Sequence, residues 1–118
     1  MKGYDENGNI IYDLINGNGK VKKYNIYNAL IFKGEYLNGK RNGNGKEYEL
    51  IAGNISFEGV YLNGQRKGKK YFNGKLIFEG EYLNDKRNGK GKEYNYESEL
   101  EFEGEYLNGE KFIKIIFN

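Results

Sequence analysis

Phe32-Lys33-Gly34-Glu35-Tyr36-Leu37-Asn38-Gly39-Lys40-Arg41-Asn42-Gly43 returns three times along the chain. The second copy is Phe57-Glu58-Gly59-Val60-Tyr61-Leu62-Asn63-Gly64-Gln65-Arg66-Lys67-Gly68. The third is Phe78-Glu79-Gly80-Glu81-Tyr82-Leu83-Asn84-Asp85-Lys86-Arg87-Asn88-Gly89. The fourth begins Phe102-Glu103-Gly104-Glu105-Tyr106-Leu107-Asn108-Gly109 and departs with Glu110-Lys111-Phe112. Successive copies start 25, 21 and 24 residues apart. The variation falls in the stretch after the motif, where a loop absorbs it. A period of this size marks a repeat architecture, in which each unit buries its apolar side only against its neighbours.

Inside each unit the period is two. Tyr94, Tyr96, Ser98, Leu100, Phe102, Gly104 and Tyr106 fall on one parity, and seven polar residues from Glu93 to Glu105 fall on the other. That alternation is the signature of a half-buried strand. The run is too long for one strand, so a turn is expected near Glu97–Glu99. Asn38-Gly39, Asn63-Gly64 and Asn108-Gly109 are hairpin turns by type, because both residues accept positive φ. Asn84-Asp85 is a weaker version. No apolar stripe with a helical period persists. Each motif therefore reads as strand, turn, strand, and the fold class is all-β.

Phe-x-Gly-x-Tyr on one strand face has a mechanical reading. Rings of neighbouring hairpins stack, each pair contributing about 0.2–1 kcal/mol, and the intervening glycine lets a ring lie across it. One hairpin alone is unstable in water, whereas several in series bury an aromatic ridge. The structural positions are Phe32, Gly34, Tyr36, Phe57, Gly59, Tyr61, Phe78, Gly80, Tyr82, Phe102, Gly104 and Tyr106. A degenerate first copy is read from Asn7-Gly8-Asn9-Ile10-Ile11-Tyr12, which matches Asn73-Gly74-Lys75-Leu76-Ile77-Phe78. Its Asn16-Gly17-Asn18-Gly19-Lys20 then arrives too early against Asn42-Gly43-Asn44-Gly45-Lys46. The chain divides into one domain of five units: 7–31 degenerate, 32–56, 57–77, 78–101, and 102–118 incomplete. Ile113–Phe117 is expected to be a final capping strand.

The 118 residues give room for one ordinary domain. The chain has no His, Cys, Trp, Pro or Thr, and Ser56 and Ser98 are its only serines. That composition excludes imidazole or thiol nucleophiles, a Ser-His-Asp triad, a zinc site of ordinary type and any disulfide. No apolar run is long enough to span a bilayer, and no signal segment is visible. An intracellular, cytoplasmic location is expected, at the membrane periphery if lipid is bound. A net charge of +2 gives no general basic footprint, so no nucleic-acid partner is expected. No cofactor, metal or catalytic residue is read from the sequence.

The pattern Phe-x-Gly-x-Tyr-x-x-Gly-x-x-x-Gly-x-Gly resembles the MORN repeat (membrane occupation and recognition nexus). Phe32–Lys46 and Phe78–Lys92 carry it, with Asp85 at a usual glycine. The Phe57 copy has Lys70 where the second glycine of the Gly-x-Gly pair would stand. The resemblance spans about Phe32 to Gly109 and implies an elongated, single-layer antiparallel array of stacked hairpins. It also implies binding or scaffolding work: tethering membranes, organising cytoskeleton, dimerising, or presenting a surface beside an enzyme domain.

The candidate contact residues form a basic ladder: Lys40, Arg41, Lys46, Arg66, Lys67, Lys69, Lys70, Lys86, Arg87, Lys90 and Lys92. The chain has 16 Lys but only three Arg, and all three occupy one repeat position. In stacked hairpins the ladder is expected to line one edge of the array. Each cation near an anionic membrane contributes about 1 kcal/mol, so the ladder is a candidate site for phospholipid. The competing reading pairs these cations with the glutamates Glu35, Glu58, Glu79, Glu81, Glu103 and Glu105. The leading function is a scaffold or protein-interaction module whose extended Tyr/Gly-rich surface is expected to contact a protein partner or another copy of the chain: two complementary open ends invite head-to-tail or edge-to-edge joining.

Overall fold

The computed structural model describes residues 2–4, 10–15, 18–50 and 52–112. Among these, eleven strands form one antiparallel sheet in which spatial order equals chain order: β1 (Lys2–Tyr4), β2 (Ile10–Ile15), β3 (Asn18–Tyr24), β4 (Leu30–Leu37), β5 (Lys40–Tyr48), β6 (Ile55–Leu62), β7 (Gln65–Phe72), β8 (Lys75–Leu83), β9 (Lys86–Tyr94), β10 (Leu100–Leu107) and β11 (Glu110–Phe112). The final capping strand expected at Ile113–Phe117 lies outside the described residues.

Local chemistry sets this meander. Five two-residue turns have positive φ at both positions: Asn38/Gly39, Asn63/Gly64, Asn73/Gly74, Asn84/Asp85 and Asn108/Gly109. Their twist matches that of the flanking strands. Four of these turns share one end of the strands; Asn73/Gly74 lies at the other end, where the connections after Tyr24, Tyr48 and Tyr94 are longer. In two of them an asparagine organises the loop. Asn25 Oδ1 accepts from the amides of Tyr27 (2.9 Å) and Ala29 (3.0 Å), and Asn95 Oδ1 accepts from those of Glu97 (2.9 Å) and Glu99 (3.0 Å). The second loop is the turn expected near Glu97–Glu99.

The floor of the core is a row of glycines. In register across seven strands stand Gly34, Gly45, Gly59, Gly68, Gly80, Gly91 and Gly104. Over this floor lie the rings. A Cβ on Gly91 would come within 2.5 Å of Phe78 Cζ, and one on Gly45 within 2.7 Å of Tyr61 Cε1. Tyr36, Phe32, Tyr61, Phe57, Tyr82, Phe78, Tyr106 and Phe102 follow one another in a zigzag. Centroids are 5.3–6.2 Å apart and most contacts are edge to face. Phe32, Phe57 and Phe78 are fully buried. The molecule measures 60 × 30 × 17 Å, one sheet thick.

The middle copy departs from its neighbours, and the register corrects the sequence alignment there. In the copies starting at Phe32 and Phe78 the hairpin is bulged before Tyr36 and Tyr82. Gly43 (φ 94°) and Gly89 (φ 96°) sit in these bulges. The carboxylates of Glu35 and Glu81 accept from the Asn44 and Lys90 amides, each at 2.7 Å. Between β6 and β7 pairing is unbroken from Phe57↔Lys70 to Leu62↔Gln65. Gly68 therefore holds the place of Gly45 and Gly91, and Lys70 holds the place of Glu47 and Glu93. Losing the bulge shortens this unit, which is one source of its shorter spacing. In β3, Val21 pairs with Gly34 as Gly45 pairs with Gly59, so a buried valine stands at the glycine position there.

Candidate functional site

Successive side chains of a strand point to opposite faces, and this parity divides the basic ladder. The pairs Lys40/Arg41, Arg66/Lys67 and Lys86/Arg87 all follow turns at one edge of the sheet, but they divide between its faces: Arg41, Arg66 and Arg87 share the ring face, while Lys40, Lys67 and Lys86 have the opposite parity.

On the ring face the arginines form a lid over the aromatic ridge. Each guanidinium lies over the phenylalanine of its own unit and the tyrosine of the next. Arg41 is 3.8 Å from Phe32 and 5.6 Å from Tyr61; Arg66 is 4.4 Å from both Phe57 and Tyr82; Arg87 is 4.1 Å from Phe78 and 5.8 Å from Tyr106. Lys111 takes the same repeat position, 4.8 Å from Phe102. Stacking of this kind is worth about 0.5–2 kcal/mol each.

Two carboxylates tie the lid together. Glu47 accepts from the Tyr61 hydroxyl (2.6 Å) and pairs with Arg66, with Arg41 at 3.9 Å. Burial raises the Glu47 carboxyl. The Tyr61 hydrogen bond and the Arg66 and Arg41 charges outweigh it, and the group is held below its ordinary value. Tyr61 is pushed well above the usual phenol range, first by burial and then by Glu47. Glu93 repeats the arrangement with Arg87 at 2.5 Å and Lys111 at 2.9 Å. Burial raises it too, but Lys111, Tyr106 and Arg87 hold it below its ordinary value. The Tyr106 hydroxyl is buried without a hydrogen bond of standard geometry. Burial, with Glu93 close by, pushes it up to about 12.

The sequence reading named the arginines and missed Glu47, Glu93 and Lys111. A signal was present: Gly45-Lys46-Glu47-Tyr48 recurs as Gly91-Lys92-Glu93-Tyr94, and Lys111 follows Gly109 as Arg41 follows Gly39.

The opposite face is a shallow groove of about 1010 Å³. Its walls carry charge in stripes, one sign per strand: Glu58 on β6, Lys67 and Lys69 on β7, Glu79 and Glu81 on β8, Lys90 and Lys92 on β9, Glu103 and Glu105 on β10. Cross-strand neighbours are Lys46–Glu58, Glu58–Lys69, Lys69–Glu79, Glu79–Lys92 and Lys92–Glu103. Lys69 and Glu79 approach to 3.9 Å. The lysines expected to face an anion thus alternate with the glutamates expected to solvate the sheet. On the same parity, next to the two-residue turns, Leu37, Leu62, Leu83 and Leu107 form a row. Three of them are about half exposed, at 45%, 53% and 52% for Leu37, Leu62 and Leu107.

Among the described residues no helix is long and apolar enough to cross a membrane. No curated protein and no solved structure is significantly similar to the chain. The family model of the MORN repeat matches residues 32–48 and 78–95. These are the two bulged hairpins, with their Phe-x-Gly-x-Tyr strand, arginine and Gly-Lys-Glu-Tyr ending. The MORN repeat is a module of the kind used in protein or membrane interaction and is generally non-catalytic. The chain carries the MORN repeat at these two places, within one open antiparallel sheet of consecutive hairpins.

Proposed function

We propose that the chain is a non-enzymatic interaction module that binds protein through the striped groove. One observation carries the reading: the charge reverses from strand to strand, from Lys67 and Lys69 to Glu79 and Glu81 to Lys90 and Lys92. Strands lie about 4.8 Å apart, inside a Debye length of about 8 Å. An anionic membrane has one sign of charge, so each lysine stripe it attracts adjoins a glutamate stripe it repels. A protein surface can carry the complementary alternation, which fixes register and excludes wrong partners. The leucine row beside the groove supplies apolar contact. The alternative, peripheral binding of anionic phospholipid through the basic ladder, has less support, because Arg41, Arg66 and Arg87 already lie on rings and face carboxylates.

Selection from a random peptide library on the immobilised chain tests this. Enriched peptides should carry both signs of charge together with leucine-like residues. Binding should weaken at least tenfold in Lys67→Glu/Lys69→Glu, which makes three adjacent strands acidic. Absence of enrichment, or enrichment indifferent to that double change, would overturn the reading. So would sedimentation with phosphatidylserine vesicles that the double change abolishes, since that outcome assigns the lysines to lipid.

A further inference from the structure

On the ring face each junction from the Phe32 unit to the Phe102 unit has one position in register with the phenylalanines on either side. Glu47 fills it between the units of Phe32 and Phe57, in register with both rings. Glu93 fills it between those of Phe78 and Phe102. Between them, at the centre of the array, the position belongs to Lys70, in register with Phe57 and Phe78. Glu47 serves Arg41 and Arg66, and Glu93 serves Arg87 and Lys111. Lys70 pairs with no carboxylate among the described residues. By register Lys70 stands toward Tyr82 as Glu47 stands toward Tyr61. Arg66, whose side chain is only 14% exposed, keeps a buried Nε with no acceptor.

We propose that the Lys70 junction, with Arg66, Tyr82 and Arg87, is a binding site for one oxyanion, a phosphate group in the place that Glu47 and Glu93 carboxylates occupy at the flanking junctions. The donors are all of one kind. Lys70 brings an ammonium, Tyr82 a hydroxyl, and Arg66 an N–H in a setting where an unmade hydrogen bond is costly. Arg87 is the second guanidinium at this junction, as Arg66 is at that of Glu47. Charged hydrogen bonds to an oxyanion at a partly buried position are stronger than neutral ones. The aromatic floor limits how far water screens them. The site lies on the face away from the groove and stands independently of the function proposed for it.

Thermal unfolding with inorganic phosphate, against chloride at equal ionic strength, tests the site, with the Arg66 Nε–Hε resonance followed by NMR. Phosphate should raise Tm by about 2–4 °C over chloride and shift the Arg66 resonance saturably. Lys70→Glu places a carboxylate at the position. It should raise Tm without phosphate and remove the phosphate response. Lys70→Gln should remove the response with no gain in Tm. Phosphatidylcholine vesicles with and without phosphatidic acid distinguish the sources of the group. Binding dependent on Lys70 and phosphatidic acid assigns a lipid headgroup, while a phosphate response without vesicle binding assigns a soluble or protein-borne phosphate. Equal Tm in phosphate and chloride, or an undiminished phosphate response in Lys70→Glu, would overturn the proposal.

Discussion

Glu47 links Tyr61 and two arginines, Arg41 and Arg66, of neighbouring units. It accepts from the Tyr61 hydroxyl and pairs with Arg66, which lies over Phe57, and Arg41, which lies over Phe32, stands 3.9 Å away. Replacing it with Gln leaves Arg66 and Arg41 without their carboxylate. Glu47→Gln should cost about 2 kcal/mol in urea unfolding. Its folded pKa is lowered, as is that of Glu93, from an ordinary value of 4.5. Their contribution is therefore complete above pH 4.5 and is lost as pH falls through the lower folded value. The gap between wild type and Glu47→Gln should close below that value. Tyr61 and Tyr106 have raised pKa values, so their contribution is complete below the ordinary phenol value of 10.0 and is lost as pH rises through the higher folded values. Ultraviolet titration should find these two ionising above the ordinary phenol value. The arginines were visible in the sequence because three rare residues shared one repeat position. Their partners were not, because an arginine reaches along the strand and across to a neighbour, and the bulge alters the residue count between Arg41 and Glu47.

At the scale of the hairpin, the turn chemistry and the glycine floor decide stability. Asp85 holds φ 65° where the other turns of this side place glycine. Asp85→Gly should stabilise by about 0.5–1 kcal/mol, read from the urea midpoint. Gly91→Ala puts a methyl against the buried Phe78 ring and should cost about 1–3 kcal/mol. Hairpins, turns and ring faces were legible because period-two alternation and Asn-Gly pairs are local signals. The bulges were not. Gly68 looked like Gly43 by position after the motif, yet pairs as Gly45 does. Only the partner strand reveals which glycine continues the row, so the role of Lys70 was hidden with it.

For the whole molecule, the consequence of serial hairpins is an open ribbon with two different faces. The ring face is covered by its own cations, carboxylate-paired at the Glu47 and Glu93 junctions and not at Lys70, and the other face carries the charge stripes. Removing β10 and β11 with the residues after them should expose the Phe78 ring and lower stability without unfolding the rest, as nearest-neighbour arrays do. The spectroscopic signature is loss of the Phe78–Tyr106 ring contact with the Phe57–Tyr82 contact retained. A compact domain of this length would have a radius of gyration of about 13.5 Å. The ribbon has 16.6 Å, with a longest dimension of 60 Å. Small-angle X-ray scattering from the dilute monomer decides between them. A radius near 16.6 Å with an elongated pair-distance curve is what the open sheet requires. A value near the compact figure, with a symmetric curve, would mean that the rings are folded into a closed core and the two faces do not exist.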